Sequence, residues 1–101
     1  MAGIKTIPFD VARYLDSEEM IEAYLNHMAK KKDSKAMSDA LGHVARARGM
    51  SKVARKAKLS RESLYSTLST TGRPSFDTVV KVLDALGIDL QFNMRTLVRA
   101  A

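Results

Sequence analysis

The chain has no cysteine. A disulfide framework and thiolate chemistry are therefore excluded, and that usage suits a reducing cytoplasm. Histidine is limited to His27 and His43. No HExxH or other paired-histidine spacing accompanies them, so a metal site is not expected. There is no glycine-rich phosphate loop, and a lone histidine among scattered serines does not make a triad. Catalysis and cofactors are not expected. No apolar run reaches the length of a membrane span, and the opening MAGIKTIPFDV lacks the apolar core of a signal peptide. The expectation is a soluble, cytoplasmic protein that is not an enzyme.

Acidic residues are scarce in one place. Residues 46–73 hold eight Lys/Arg and a single acid, Glu62, whereas residues 1–45 hold six against seven and residues 74–101 three against three. The formal net charge of +6 thus has its source in the middle of the chain. A cationic patch of this kind suits a polyanion, because each neutralised phosphate releases counterions. Alone, it could also be a solvated basic face.

The basic stretch coincides with a motif. Ser51 to Leu68, SKVARKAKLSRESLYSTL, reads as two short helices joined by a tight turn. Val53, Ala54 and Ala57 form the apolar face of the first, and Lys58 sits at the turn. Leu59 can drop into the core, and Ser60 can cap the second helix through its hydroxyl. Leu64 and Leu68, four apart, share one face, which leaves Arg61, Glu62, Tyr65 and Ser66 on the other. That is a helix-turn-helix pattern whose second helix can enter a major groove. A helical hairpin in any bundle would look similar; the charge and the next segment tip the balance.

At 101 residues the chain is one domain, small enough that dimerisation would help it. Residues 1–9 form an extended lead-in and residues 10–48 the N-terminal helices. Asp10 can cap a short helix through Leu15. Asp16, with Glu19 as a capping box, can start another with the stripe Met20, Ile21, Tyr24, Leu25 and Met28. Asp16, Glu18, Glu19 and Glu22 suit the dipole of that helix, and they could also engage a basic partner. KKKDSK is a loop, with Asp33 or Ser34 capping a helix to about Arg48. Gly42 within that helix costs about 1 kcal/mol relative to alanine, so a neighbour is expected to pack closely there. Gly49 is expected as a left-handed cap. Beyond the helix-turn-helix (51–69) and a loop at 70–73, Ser75 caps a covering helix, 75–86. Its apolar residues are Phe76, Val79, Val80, Val82, Leu83 and Leu86, and Gly87 closes it. Residues 88–93 alternate, with Ile88, Leu90 and Phe92 against polar neighbours. This is a strand pattern, and a lone strand is expected to pair with its own copy across a two-fold axis.

The runs RARGMSKVAR, LSRESLY and GRPSFDTVVKVLDALG, within residues 43–92, and the earlier FDVARYLDSEEMIEAYL resemble the addiction-module antidote proteins, the HigA-like branch of the Xre/phage-repressor superfamily. The resemblance covers most of the chain. It implies a five-helix, lambda-repressor-like DNA-binding domain that dimerises and represses its own operon. It also implies that the protein silences a RelE-like ribonuclease toxin; the alternative is a stand-alone Xre-type regulator without a toxin. Many relatives carry glycine at the turn where this chain has Lys58, so a left-handed backbone there must be borne by a residue with a Cβ.

Roles follow from the motif's geometry. Arg61, in the first turn of the recognition helix, can read guanine through O6 and N7. Glu62 can accept from cytosine or orient Arg61, while Tyr65 and Ser66 lie a turn further on. Ser51, Lys52, Ser60 and Arg73 are placed for contacts to the DNA backbone, which position the protein without reading sequence.

Overall fold

A computed structural model of the chain describes residues 11–69 and 72–95. Among these residues every regular element is helical. A 3₁₀ turn, Val11–Tyr14, precedes α1 (Glu18–Ala29), α2 (Ser34–Arg48), α3 (Met50–Ala57), α4 (Arg61–Thr67) and α5 (Phe76–Leu86). The expected lead-in at 1–9, the cap Asp10 and the loop residues Thr70 and Thr71 lie outside the described residues.

The short helix α3 is the hub. It packs on α2, α4 and α5, while α1 and the 3₁₀ turn lie on α2. Met50, Val53, Ala54 and Ala57 are buried on α3, and two alanines among four inward positions let neighbouring helices approach closely. On α2 the stripe Ala40, Leu41, Val44 and Ala45 is buried. The largest fully buried side chains are Leu41, Leu64, Val44, Val53 and Val82, so each of α2 to α5 contributes to one core. Removing apolar surface of this kind from water contributes roughly 1.5–3 kcal/mol per large aliphatic side chain.

The covering helix α5 reaches the motif mainly through α3. Val82 and Leu83 are buried, with Val79 and Leu86 packed against the same cluster. Phe76 and Val80, predicted as part of this face, are 68% and 44% exposed. They are four residues apart and define a second stripe, rotated away from the one that meets α3.

The cap of α1 also differs from expectation. Ser17, rather than Asp16, accepts from the Met20 N–H at 3.1 Å. With the cap one residue later, the third helical position is Met20, so no capping box forms; Glu18 and Glu19 still stand in the first turn. Asp33 caps α2, Ser60 caps α4 and Ser75 caps α5. Gly49 ends α2 and starts α3 at φ 100°, ψ 106°, a glycine conformation outside the left-handed helical region that was expected.

Gly42 provides the predicted close approach: a Cβ there would lie 2.8 Å from the Leu68 carbonyl oxygen, at the end of α4. Gly72 is equally confined, since a Cβ would meet the carbonyls of Ser66 and Thr67. Both glycines thus allow a close approach to the backbone at the C-terminal end of α4.

No strand forms at 88–93. The described residues 88–95 have no regular structure, and Leu90, Phe92 and Met94 are 49%, 86% and 91% exposed. Ile88 alone packs against the core. Alternation supplies the side-chain pattern of a strand, but a strand also needs a hydrogen-bonded neighbour, and the described part of the chain offers none.

Candidate nucleic-acid interface

The turn of the motif is built by backbone hydrogen bonds. The Lys58 N–H donates to Arg55 O at 3.2 Å and the Leu59 N–H to Ala54 O at 2.9 Å, the paired bonds of a Schellman ending. Lys58 occupies the left-handed region, φ 61°, ψ 42°. The tension between this backbone and a side chain bearing a Cβ is therefore real. In return, the turn carries an exposed cation.

Helix α4 starts three residues later, at Arg61. The Ser60 hydroxyl accepts from the Ser63 N–H at 3.0 Å, satisfying one of the donors a helix start leaves open. Leu64 is 0% and Leu68 4% exposed. Arg61, Glu62, Tyr65 and Ser66 are all exposed. The helix thus shows a fully apolar underside and a polar, cation-bearing outer side, as the Leu64–Leu68 spacing predicts.

Arg61 lies over Tyr65. Its guanidinium carbon is 5.4 Å from the ring centroid, and a long hydrogen bond of 3.4 Å links its Nη2 to the Tyr65 hydroxyl. Cation–π contacts at exposed sites contribute roughly 0.5–1 kcal/mol. Tyr65 therefore holds the position that sequence reasoning gave to Glu62 as a possible orienter of Arg61. The signal was present in the i, i+4 spacing of the two residues. As the first residue of α4, Arg61 also stands at the positive end of the helix dipole, where a cation is disfavoured. Local helix energetics do not account for it.

The predicted backbone-contact residues are exposed as well. Ser51 and Lys52 are exposed in the first turn of α3, Ser60 is exposed but committed to its cap, and Arg73 is exposed after Gly72. Arg55, Lys56 and Lys58 add further exposed cations. The acidic residues Asp16, Glu18, Glu19 and Glu22 are exposed at the start of α1, an element that packs on α2. None of them lines the cleft walled by Arg61 and Tyr65 or the smaller one walled by Tyr65 and Leu68.

Behind the outer face, α1 and α2 are joined by a polar contact that sequence reasoning did not identify. Tyr24 Oη and His43 Nδ1 share a hydrogen bond of 2.8 Å, with ring centroids 6.2 Å apart. Burial pushes the Tyr24 hydroxyl above its ordinary value, with Asp39 raising it further and Arg46 opposing. Among the described residues, no group of three or more His, Cys, Asp or Glu side chains gathers to hold a metal ion, and no helix is long and apolar enough to cross a membrane.

Comparison with known proteins shows the family of the chain. A Haemophilus influenzae protein, itself described only as uncharacterized, is 51% identical over 83 residues, covering 82% of this chain and 86% of the relative. No solved structure matches the chain significantly. The family model for "Probable addiction module antidote protein" matches residues 5–94. That span takes in the 3₁₀ turn and all five helices, and the chain belongs to the addiction-module antidote family.

Proposed function

We propose that the chain is the antitoxin of a type II toxin–antitoxin module and a sequence-specific DNA-binding repressor of its own operon. It is a HigA-like member of the Xre/phage-repressor helix-turn-helix superfamily, acts in the cytoplasm as a homodimer, and neutralises a RelE-like ribonuclease toxin. Membership of the antidote family implies a non-enzymatic regulator with a cognate toxin. The observation that carries the DNA-binding reading is the two-sidedness of α4. Leu64 is wholly buried beneath it, while Arg61, Glu62, Tyr65 and Ser66 all face outward, on the part of the chain where cations most outnumber acids.

In this reading Arg61 reads a guanine, with Glu62, Tyr65 and Ser66 as further base contacts. Ser51, Lys52, Ser60 and Arg73 grip the phosphates. The acidic start of α1 (Asp16, Glu18, Glu19 and Glu22) faces the toxin, since a protein that holds RNA must itself carry positive charge. The second copy covers apolar surface such as Phe92, which is 86% exposed.

The test is Arg61→Ala, assayed on the duplex upstream of the chain's own gene and, in parallel, on the protein encoded in the neighbouring reading frame. The expected loss is about 1–3 kcal/mol of operator affinity with relaxed preference at one base position, and unchanged binding of the neighbouring protein. Unchanged operator affinity would remove Arg61 from the reading. Failure of the wild-type chain to bind the neighbouring protein would remove the toxin.

A further inference from the structure

Arg61 opens α4, and an arginine side chain has many rotamers to lose when it meets a partner. Something in the free protein that limits those rotamers would therefore help it to read a base. Glu62 is poorly placed to do so, because neighbours in sequence do not face each other on a helix. Tyr65 is well placed. Side chains on a helix lean toward its N-terminus, so each covers the turn before its own Cα. Tyr65, four residues on, covers the turn that begins with Arg61, and the guanidinium carbon lies 5.4 Å from the centre of its ring.

The ring is itself set into the surface. Tyr65 lines two clefts. One, of about 480 Å³, is also lined by Arg13, Arg46 and Arg61, and the other, of about 260 Å³, by His43 and Leu68. The buried Met50 belongs to both linings and ties this wall to the core. The hydrogen-bond arithmetic leaves Arg61 able to read. A guanidinium carries five N–H donors. The long bond of 3.4 Å to the Tyr65 hydroxyl engages Nη2, which leaves enough donors for the two acceptors of a guanine edge.

We propose that the aromatic ring of Tyr65 is a positioning group: it presets the Arg61 guanidinium before DNA arrives, and so fixes the base preference at the position Arg61 reads. The inference rests on the DNA-binding reading of α4 and deepens it by giving the two parts of Tyr65 separate work. The hydroxyl is the part that meets a base; the ring acts through Arg61. Rotamer freedom surrendered in the free protein is not surrendered again on binding, which is the gain from preorganisation.

The experiment compares the full chain with Tyr65→Phe, Tyr65→Leu, Arg61→Ala and the double variant Arg61→Ala/Tyr65→Leu, each first checked for unchanged thermal melting. Affinity is measured for the duplex upstream of the chain's own gene and for duplexes substituted at each base pair. Tyr65→Leu is expected to weaken binding about two- to five-fold, the range of an exposed cation–π contact, and to relax preference at the base pair where Arg61→Ala relaxes it. Tyr65→Phe keeps the ring and is expected to keep that preference. With Arg61 already replaced, Tyr65→Leu should relax nothing further at that base pair, the non-additivity expected of residues that act as one. In the free protein, NMR signals of the Arg61 side chain should carry a ring-current shift that survives in Tyr65→Phe and vanishes in Tyr65→Leu. A Tyr65→Leu chain with the wild-type preference would overturn the positioning role while leaving Arg61 its reading. Equal relaxation in Tyr65→Phe and Tyr65→Leu would assign the effect to the hydroxyl and overturn it too. If Arg61→Ala left affinity and preference unchanged, or if the wild type did not bind the duplex, the reading of Arg61 and this inference would fall together.

Discussion

The two sides of α4 obey different rules. The inner side is specified by volume: Leu64 is fully buried, Leu68 nearly so, and Gly42 of α2 lies so close that a Cβ would press on the Leu68 carbonyl. The outer side is specified by charge and reach: Arg61, Glu62, Tyr65 and Ser66 are exposed, and Arg61 lies over the Tyr65 ring with its Nη2 bonded to the hydroxyl. Inner positions should therefore govern whether the protein folds, and outer positions what it recognises.

The largest expected effect tests the inner side. Leu64→Ala should cost about 2–5 kcal/mol of stability, the range for a large-to-small change at a fully buried site, read by urea denaturation. A cost below about 1 kcal/mol would mean that Leu64 is not the anchor of the helix. Gly42→Ala comes next. In an open helix that change gains up to about 1 kcal/mol. Here the added methyl meets a backbone carbonyl, and overpacking of about 1–3 kcal/mol should reverse the sign. A more stable Gly42→Ala protein would show that α2 and α4 do not touch as described.

Tyr24→Phe sharpens the comparison from outside α4, on the α1–α2 contact. Loss of the hydrogen bond to His43 should cost about 1 kcal/mol, while leaving DNA binding unchanged. The wild type should also lose stability in alkali. The folded Tyr24 hydroxyl releases its proton above the ordinary value of 10.0, chiefly because of burial. Its contribution is complete below the unfolded value and fades as the pH rises through the folded one. A denaturation series across that window should show a flatter profile for the phenylalanine variant.

The smallest stability effect is expected at the turn, where two helix ends of the same kind can be compared. Both α3 and α5 finish in paired Schellman bonds, but α5 uses Gly87 and α3 uses Lys58 in the left-handed region. Lys58→Gly should relieve a left-handed side chain, partly offset by the freedom glycine brings to the unfolded chain. The net gain should be at most about 1 kcal/mol. The same change should weaken DNA binding and lower its salt slope if the cation at the turn meets a phosphate. A variant that gained stability and kept its full affinity would show that the lysine has no role there.

These contrasts also explain what could be read in advance. The division of α4 followed from Leu64 and Leu68 at a spacing of four, since helix period alone decides which side faces a core. The close approach at Gly42 followed from its place inside an otherwise regular stripe. Ser60 and Ser75 announced their helix starts because a capping oxygen must sit at one position. The cap of α1 was misread because Asp16 and Ser17 are adjacent and both able to cap; geometry one residue apart chose the serine. The strand at 88–93 failed because alternation describes one side of a ladder and is silent about the other. The clustering of Arg13, Arg46 and Arg61 was illegible, since residues up to 48 positions apart meet only through the packing of the 3₁₀ turn on α2 and of both α2 and α4 on α3.

The central claim is that the outer side of α4 reads a particular sequence in addition to attracting a polyanion. The most direct measurement is the ratio of affinities of the wild-type chain for the duplex upstream of its own gene and for a shuffled duplex of equal length and composition, at physiological salt. A specific reader should prefer the first by about 10³-fold or more. Equal affinity for the two duplexes would contradict the claim and leave only a basic surface.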